Sequence, residues 1–304
     1  MVVVCGEALV DRIRTPEGSE RITPGGGPFN TARALARLGV PSAFLGRLSS
    51  DEHGRQLARL LYADGVGLQF ASFGSEPTTE ALAELDSAGR ATFRFMVEGT
   101  SAPNLTPEMV PVQLGHDVAA IHVGTLGLVL KPMASTLAEV VGREGGGRLV
   151  MLDPNIRVGL IDDTEYRDRL REVIAASTVV KASDTDLSWL YPMAGHEEAA
   201  ERLLAEGVSL VAVTLGADGA FGAHRDMRVH VPTRQVGIVD TIGAGDAFGA
   251  GLLAWLYDHS MIGPSLSLSE EELGAALGYA CLAASITCSR AGADPPWKRE
   301  MTLT

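Results

Sequence analysis

Short apolar runs alternate with amphipathic stretches along most of this chain. Runs of β-strand length that alternate with helical periodicity are typical of a parallel sheet covered by helices. Strands are predicted at Val2–Cys5, 43–46, 119–123, 148–152, 178–181 and Leu210–Thr214. Helices are predicted at 29–39, Glu52–Asp64, 132–143, 165–176, 197–206, 246–257 and Glu270–Cys288. The pattern predicts an α/β protein.

Two stretches break this alternation. Residues 8–14 form an extended run directly after the first strand, and residues 79–96 resemble a hairpin with its turn at 86–90. Strands without intervening helices predict a small separate sheet, with strands from about 8–23 and 69–98. Such a sheet could serve as a lid over a substrate cleft, since closing a site excludes water. A hairpin attached to the sheet edge without a function is the alternative.

Composition describes an ordinary globular protein and excludes some partners. The chain has 304 residues, 46% of them hydrophobic and 21% charged, without a long linker, so a single domain over 1–304 is expected. A net charge of −13 argues against nucleic acid as a partner, because phosphate backbones need clustered Lys and Arg. No apolar run approaches membrane-spanning length, and no basic leader starts the chain. We expect a cytoplasmic protein without a membrane partner.

The strongest chemical signal is the motif DTIGAGDAF at residues 240–248, which precedes a predicted helix. Gly243 and Gly245 can let backbone N–H groups approach an anion closely, and the helix directs its positive end at the same point. Asp246 then lies where a carboxylate could accept a hydroxyl proton. A glycine-rich turn in which the aspartate caps the helix is the alternative.

A second glycine-rich motif, GGGPFNTA, occupies residues 25–32. Its glycines let the backbone lie against a ligand, and Asn30 offers both a donor and an acceptor to sugar hydroxyls. Read alone, the motif is equally compatible with a plain loop before a helix.

Together, in this order along the chain, the two motifs resemble the signatures of the ribokinase-like (PfkB) carbohydrate kinase family. The resemblance implies a three-layer α/β/α Rossmann-like domain with a small β-sheet lid. It also implies ATP and Mg²⁺ as cofactors, and possible use of K⁺. Asp246 would be the catalytic base, and the backbone of Gly243, Ala244 and Gly245 would form the anion hole.

The resemblance extends to segments between the motifs. DPNIR at 153–157 follows a predicted strand, and VTLGADGA at 213–220 is similar to the nucleotide-side turn of the family. The implied sugar-binding residues are Asp11, Gly26, Gly27, Asn30, Arg94, Asn155 and Arg157. The implied nucleotide-binding residues are Lys181, Ser183, Thr214, Gly216, Gly219, Gly243 and Gly245. For Arg157, a surface salt bridge is the alternative interpretation.

One segment departs from the family pattern. Many relatives carry an Asn-x-x-Glu element that organises water around the magnesium ion, and here Ser183 and Asp186 would take those positions. Asp186 is the expected metal residue, although Asp184 and Asp186 could equally cap the helix that begins there. A monovalent cation would lie beside the anion hole, near Asp240 and Ile242.

The segments around the hairpin and at 122–127 are most similar to bacterial fructokinases, so fructose is the expected substrate. The alternatives are 2-keto-3-deoxygluconate, whose carboxylate Arg94 or Arg157 could bind, and a nucleoside, although aromatic residues make up only 5% of the chain. A catalytically silent sugar-binding protein is the alternative from another class. A dehydrogenase is disfavoured because no GxGxxG motif follows the first strand. Homodimerisation through the lid is expected from the family.

Overall fold

The computed structural model describes residues 1–14, 19–85, 91–160 and 164–302. The strands are β1 (Val2–Cys5), β2 (Leu9–Arg14), β3 (Glu20–Gly25), β4 (Ser42–Ser49), β5 (Gly67–Gly74), β6 (Glu80–Leu85), β7 (Ala91–Met96), β8 (Ala120–Gly124), β9 (Leu149–Asp153), β10 (Val179–Ser183), β11 (Leu210–Thr214), β12 (Ala220–His224) and β13 (Met227–Val231). The α-helices are α1 (Gly27–Arg37), α2 (Glu52–Asp64), α3 (Met133–Glu144), α4 (Thr164–Ala175), α5 (Asp184–Leu190), α6 (His196–Ala205), α7 (Ala244–Asp258) and α8 (Glu270–Cys288).

The larger sheet has the strand order β13-β12-β11-β10-β9-β8-β1-β4-β5 among the described residues. Its strands pair in parallel from β11 to β5, and β12 and β13 add an antiparallel hairpin at the other end. The interior strand β1 is fully buried, as expected for a parallel sheet with helices on both faces.

Side chains of β1 alternate between two cores. Val2 and Val4 pack into the core formed with α1, α2, α7 and α8, whereas Val3 and Cys5 pack into the core formed with α3 to α6. Because successive strand residues point to opposite faces, this run of apolar residues serves both layers. The expected three-layer α/β/α architecture is confirmed.

A second sheet has the order β3-β2-β6-β7. Leu9, Ala81 and Leu126 form its small apolar contact with the main domain. The sequence prediction was wrong in assigning all of 69–98 to this sheet, because 67–74 form β5, which pairs with β4 in the larger sheet. The helix α2 joins these two strands as a parallel crossover, and that connection places β5 at the edge of the main sheet. The predicted turn at 86–90 lies outside the described residues.

Helices α1 and α7 each begin two residues before their predicted starts at 29 and 246. The helix α1 begins at Gly27, with Pro28 in its first turn, where a missing N–H costs no hydrogen bond. The helix α5 begins after Ser183, which caps it. None of the helices that the structure describes is both long and apolar enough to cross a bilayer.

Candidate active site

A cavity of about 1170 Å³ opens where the carboxyl ends of the parallel strands meet the small sheet. Ligands of open α/β sheets bind at this edge. The following residues line it: Glu7, Leu9, Asp11, Ile13, Gly26, Gly27, Asn30, Ala81, Arg94, Phe95, Thr125, Leu126, 155–160, Lys181, Ser183, Asp186, Thr214, 241–243, Gly245 and Asp246. The two glycine motifs, far apart in the chain, therefore share one cleft.

The turn before α7 is shaped for an anion. Gly243 is the N-cap residue with φ of 75°, a left-handed conformation that favours glycine, and no described side chain caps the helix. The first-turn N–H groups of a helix have no partner within the helix itself, and the helix dipole adds positive potential there. Gly243 and Gly245 line the cleft, so this helix end would face an anion bound there.

Asp246 lies in the first turn of α7 and is only 9% exposed. The Nδ2 of Asn30 donates a hydrogen bond of 2.8 Å to its Oδ2. Burial raises the pKa of Asp246 to about 6, although the Asn30 hydrogen bond and the charges of Lys181 and Arg157 hold it down. A carboxylate with this pKa is largely ionised at neutral pH and is a stronger base than an exposed aspartate, so it suits general base catalysis.

Gly27 brings the first motif against Asp246. A Cβ at Gly27 would lie 3.0 Å from Thr125 Oγ1 and 3.2 Å from Asp246 Oδ1. These separations are tighter than most real Cβ contacts, so a side chain here would displace one of the two neighbours. The start of α1 therefore touches the catalytic region directly.

A buried ion pair lies beneath the anion-binding turn. The Nζ of Lys181 donates a hydrogen bond of 2.7 Å to Asp153 Oδ2, and both side chains are almost fully buried. A Cβ on Gly245 would lie 3.0 Å from the same Nζ, so the ammonium group is close to the turn. Lys181 was predicted from the sequence, but its partner Asp153 was not named as a site residue, although it directly follows an apolar run.

The opposite side of the cleft is polar, and its residues come from both sheets. Asp11 comes from β2 and Arg94 from β7, whereas Asn155 and Arg157 follow β9. Burial raises the pKa of Asp11 to about 6, and Arg157 partly offsets this rise. Arg157 thus faces the cleft, which favours a ligand role over the alternative of a salt bridge confined to the surface. Asn155 has φ of 38°, an uncommon conformation of the kind that clusters at functional sites.

Sequence reasoning missed Glu7 and Thr125. Glu7 is 1% exposed, and its Oε2 accepts a hydrogen bond of 3.1 Å from the N–H of Gly127. Burial raises its pKa to about 8, so the carboxyl group is mostly neutral at pH 7. Thr125 has φ of 51° and lies between Glu7 and Gly27. The available signal for Glu7 was an acidic residue two positions after a fully apolar strand.

Ser183 and Asp186 form a capping box at α5. Asp186 Oδ2 accepts hydrogen bonds from the backbone N and the Oγ of Ser183, and its Oδ1 accepts one of 2.7 Å from the N–H of Ile156. Asp186 therefore takes part in capping α5, as the alternative interpretation expected. Asp184 is the first helical residue and does not cap the helix. Both capping-box residues nevertheless line the cleft, and carboxylate oxygen suits a magnesium ion.

Several predicted residues lie just outside the cleft lining. Gly216 and Gly219 form the turn between β11 and β12, next to Thr214, and neither they nor Ala244 appear among the described lining residues. Asp240 accepts hydrogen bonds from the N–H groups of Ile242 at 3.0 Å and Gly292 at 2.9 Å. It thereby ties the segment before the anion-binding turn to the carboxy-terminal segment. Ile242 itself lines the cleft.

The fold and this cleft belong to a phosphotransferase that acts on a sugar hydroxyl. Residues 1–299 match the family described as pfkB family carbohydrate kinase, and the chain belongs to that family. It is 40% identical over 261 residues to a fructokinase of Rhizobium leguminosarum bv. trifolii, covering 84% of this chain and 79% of the relative. It is 35% identical to a fructokinase of Klebsiella pneumoniae, covering 98% and 97%.

A solved structure has the same architecture. The crystal structure of a fructokinase from Vibrio cholerae O395 with bound fructose, ADP and calcium ion is similar with a TM-score of 0.83 and 29% identity, covering 96% of this chain and 94% of that chain. The predicted fold, the PfkB resemblance with its fructokinase branch, and the sugar kinase activity are confirmed.

Proposed function

We propose that this carbohydrate kinase is a fructokinase, which transfers the γ-phosphoryl group of ATP to a hydroxyl group of fructose. The observation that carries the proposal is the placement of buried Asp246, bonded to Asn30, beside the uncapped start of α7. The two curated relatives described above are fructokinases, and the related Vibrio cholerae structure contains fructose and ADP.

In this proposal Asp246 accepts the proton of the attacking primary hydroxyl, whose oxygen attacks the γ-phosphorus in line. The bond from the γ-phosphorus to the bridging oxygen breaks, and ADP leaves. Phosphoryl transfer depends on positioning and on stabilisation of the charge on the transferring oxygens. The backbone N–H groups at 243–245 face those oxygens, and Lys181 adds a buried positive charge behind them. Asn30 keeps Asp246 oriented and ionised.

The nucleotide would lie towards Thr214, with its phosphates at the start of α7. Asp186 would hold a Mg²⁺ ion through water, and backbone oxygens near Asp240 and Ile242 would hold K⁺. Bound magnesium would neutralise charge on the phosphates. Asp186 fits this role because it is a carboxylate in the cleft, although its oxygens already accept three hydrogen bonds.

The sugar would lie between the two sheets. Asp11, a partly buried carboxyl group, and Asn30 can bind hydroxyl groups, while Arg94 reaches the cleft from the small sheet. The small sheet acts as a lid in this proposal, since its closure would exclude water from the transferring phosphate. Assembly as a homodimer through this sheet and a cytoplasmic location remain predictions.

The experiment is ADP release from Mg-ATP, with and without K⁺, for fructose, ribose, tagatose, 2-keto-3-deoxygluconate and adenosine. We expect the highest kcat/KM with fructose. Highest activity on 2-keto-3-deoxygluconate would contradict fructose and indicate that Arg94 or Arg157 binds a carboxylate. Absence of turnover with every acceptor, from folded protein that binds ATP, would favour the silent sugar-binding alternative.

A further inference from the structure

Two histidines and a glutamate lie together on the surface, outside the catalytic cleft. His196 and Glu197 are the first two residues of α6, and His230 lies on β13, the last strand of the larger sheet. One ligand atom from each of the three side chains lies within 4.8 Å of the others. Among the described residues this is the one group of three or more His, Cys, Asp or Glu with that geometry.

Packing holds the two imidazole rings in place. Both contact the fully buried ring of Phe221, with centroid distances of 5.4 Å for His196 and 4.8 Å for His230. The two imidazoles are themselves 6.1 Å apart, edge to face. The contacts with Phe221 keep the two rings side by side, so part of the side-chain entropy cost of binding a shared ligand is already met in the free protein.

We propose that His196, Glu197 and His230 bind one first-row transition-metal ion such as Zn²⁺, Ni²⁺ or Cu²⁺. Imidazole nitrogen suits these ions, and two imidazoles with one carboxylate are a ligand set that zinc uses with water in the remaining position. Magnesium prefers oxygen ligands in an octahedral arrangement, so the magnesium that a kinase uses with ATP would not compete here.

The observed separations are close to those that a metal ion needs. Bonds of about 2.0–2.1 Å in a tetrahedral site place ligand atoms roughly 3.4 Å apart. The His230 Nε2 and Glu197 Oε1 are already 3.2 Å apart, and the remaining ligand-atom separations are at most 4.8 Å. A simple surface ion pair would explain His230 and Glu197, but it would not explain His196. The Nε2 of His196 is buried and has no hydrogen-bond partner in the described part of the chain.

A bound metal would connect the edge strand of the sheet to α6. The strand β13 continues through 232–242 to Gly243, the residue that begins the anion-binding turn. The ion would therefore anchor the strand that leads into the catalytic motif without touching the cleft. Because it binds the folded protein only, it would raise the unfolding temperature.

The test is isothermal titration of the untagged, metal-free protein with Ni²⁺ and Zn²⁺. We expect one equivalent to bind, and His230→Ala or His196→Ala to weaken the affinity at least tenfold. His116→Ala, which removes an exposed histidine elsewhere, should leave the affinity unchanged. With Cu²⁺, the electron paramagnetic resonance spectrum should show coupling to two imidazole nitrogens. The metal-dependent rise in Tm should disappear in His230→Ala.

Each variant is first compared with the wild type without metal, by circular dichroism and Tm, so that misfolding cannot pass for lost binding. The proposal is overturned if the wild type binds less than one equivalent, or if His230→Ala and His116→Ala bind alike. It is also overturned if Cys288→Ser abolishes binding, because Cys288 is a free, half-buried thiol far from this cluster in the chain.

Discussion

The amide of Asn30 and the carboxylate of Asp246 are 216 residues apart in sequence, yet they form a buried hydrogen bond of 2.8 Å. The bond joins the first turns of α1 and α7, so both glycine-rich motifs converge on one carboxylate. Donation from Asn30 stabilises the charged form of Asp246 and fixes its direction. Asn30 therefore acts on the base as well as on the proposed sugar.

Replacing Asn30 by Ala should move the pH dependence of catalysis. The base works only when ionised, so activity rises as pH increases through its pKa of about 6. Removal of the Asn30 donor raises that pKa, and the acidic limb of kcat/KM should shift to higher pH. Thr31→Val, which alters the neighbouring buried residue, should leave the limb in place. An unshifted limb in Asn30→Ala would show that the hydrogen bond does not control the base.

Loss of Lys181 should be costly for stability. Lys181→Met leaves Asp153 buried without its partner, and breaking a buried pair in this way costs about 3–5 kcal/mol. The surface pair of Lys298 with Asp258 is the matched control, and Lys298→Met should cost less than about 1 kcal/mol. Urea unfolding measures both. Equal losses for the two variants would contradict the account of the buried pair.

A double variant separates the contribution of Lys181 to stability from its contribution to turnover. Combining Lys181→Met with Asp153→Leu removes both buried charges, so the double variant should recover much of the stability lost in Lys181→Met. Its turnover should stay low, because the positive charge behind the anion-binding turn is gone. Full turnover in the double variant would mean that Lys181 serves stability alone.

Gly27→Ala should lower kcat because the new Cβ would contact Thr125 and Asp246. Misplacement of a catalytic group by about 1 Å can reduce the rate by about 10²-fold. Gly142→Ala is the matched control, since no described atom lies within 4 Å of a Cβ at that helical position. The control should keep its kcat and gain up to about 1 kcal/mol of stability from helix propensity. Steady-state kinetics measure kcat for both variants. An unchanged kcat in Gly27→Ala would contradict the tight contact of this position with Thr125 and Asp246.

Glu7→Gln should stabilise the protein, and increasingly so as pH rises. The folded-state pKa of Glu7 is raised to about 8 from 4.5, so the folded state binds its proton more tightly than the unfolded state. Wild-type stability is therefore lost progressively between those pH values, by up to about 4 kcal/mol, and glutamine has no proton to lose. Urea unfolding at pH 5 and pH 8 measures the difference. A difference between variant and wild type that does not change with pH would contradict the pKa.

Much of the fold follows from the sequence because apolar periodicity specifies buried elements. The predicted bounds of β1, α2, β11 and α8 coincide with those observed. The strands β5, β12 and β13 were not predicted as parts of the main sheet. Strands β5 and β13 lie at the two ends of the sheet, where partial exposure weakens the apolar pattern. Strand β12 is joined to β13 by a turn of only two residues, so the pair was not recognised as two strands.

Some residues of the candidate site can be predicted from the sequence, whereas others acquire their role only in the folded protein. Asp246 and Asn30 stand in motifs whose residue types already indicate their chemistry. The pairing of Lys181 with Asp153 depends on two neighbouring strands, β9 and β10, that are brought together only in the folded sheet. Glu7 acquires its neutral form from burial, which a single acidic residue in the sequence does not reveal.

The central claim is that Asp246 is the catalytic base, and the most direct test is the turnover of Asp246→Asn with Mg-ATP and fructose. Asparagine keeps the shape of the side chain but cannot accept the proton, so kcat should fall by about 10²–10⁴-fold or more. The affinity for ATP should persist because the backbone at the start of α7 is unchanged. Asp226→Asn, at an exposed turn, should keep wild-type turnover. An Asp246→Asn variant with kcat within tenfold of the wild type would contradict the account.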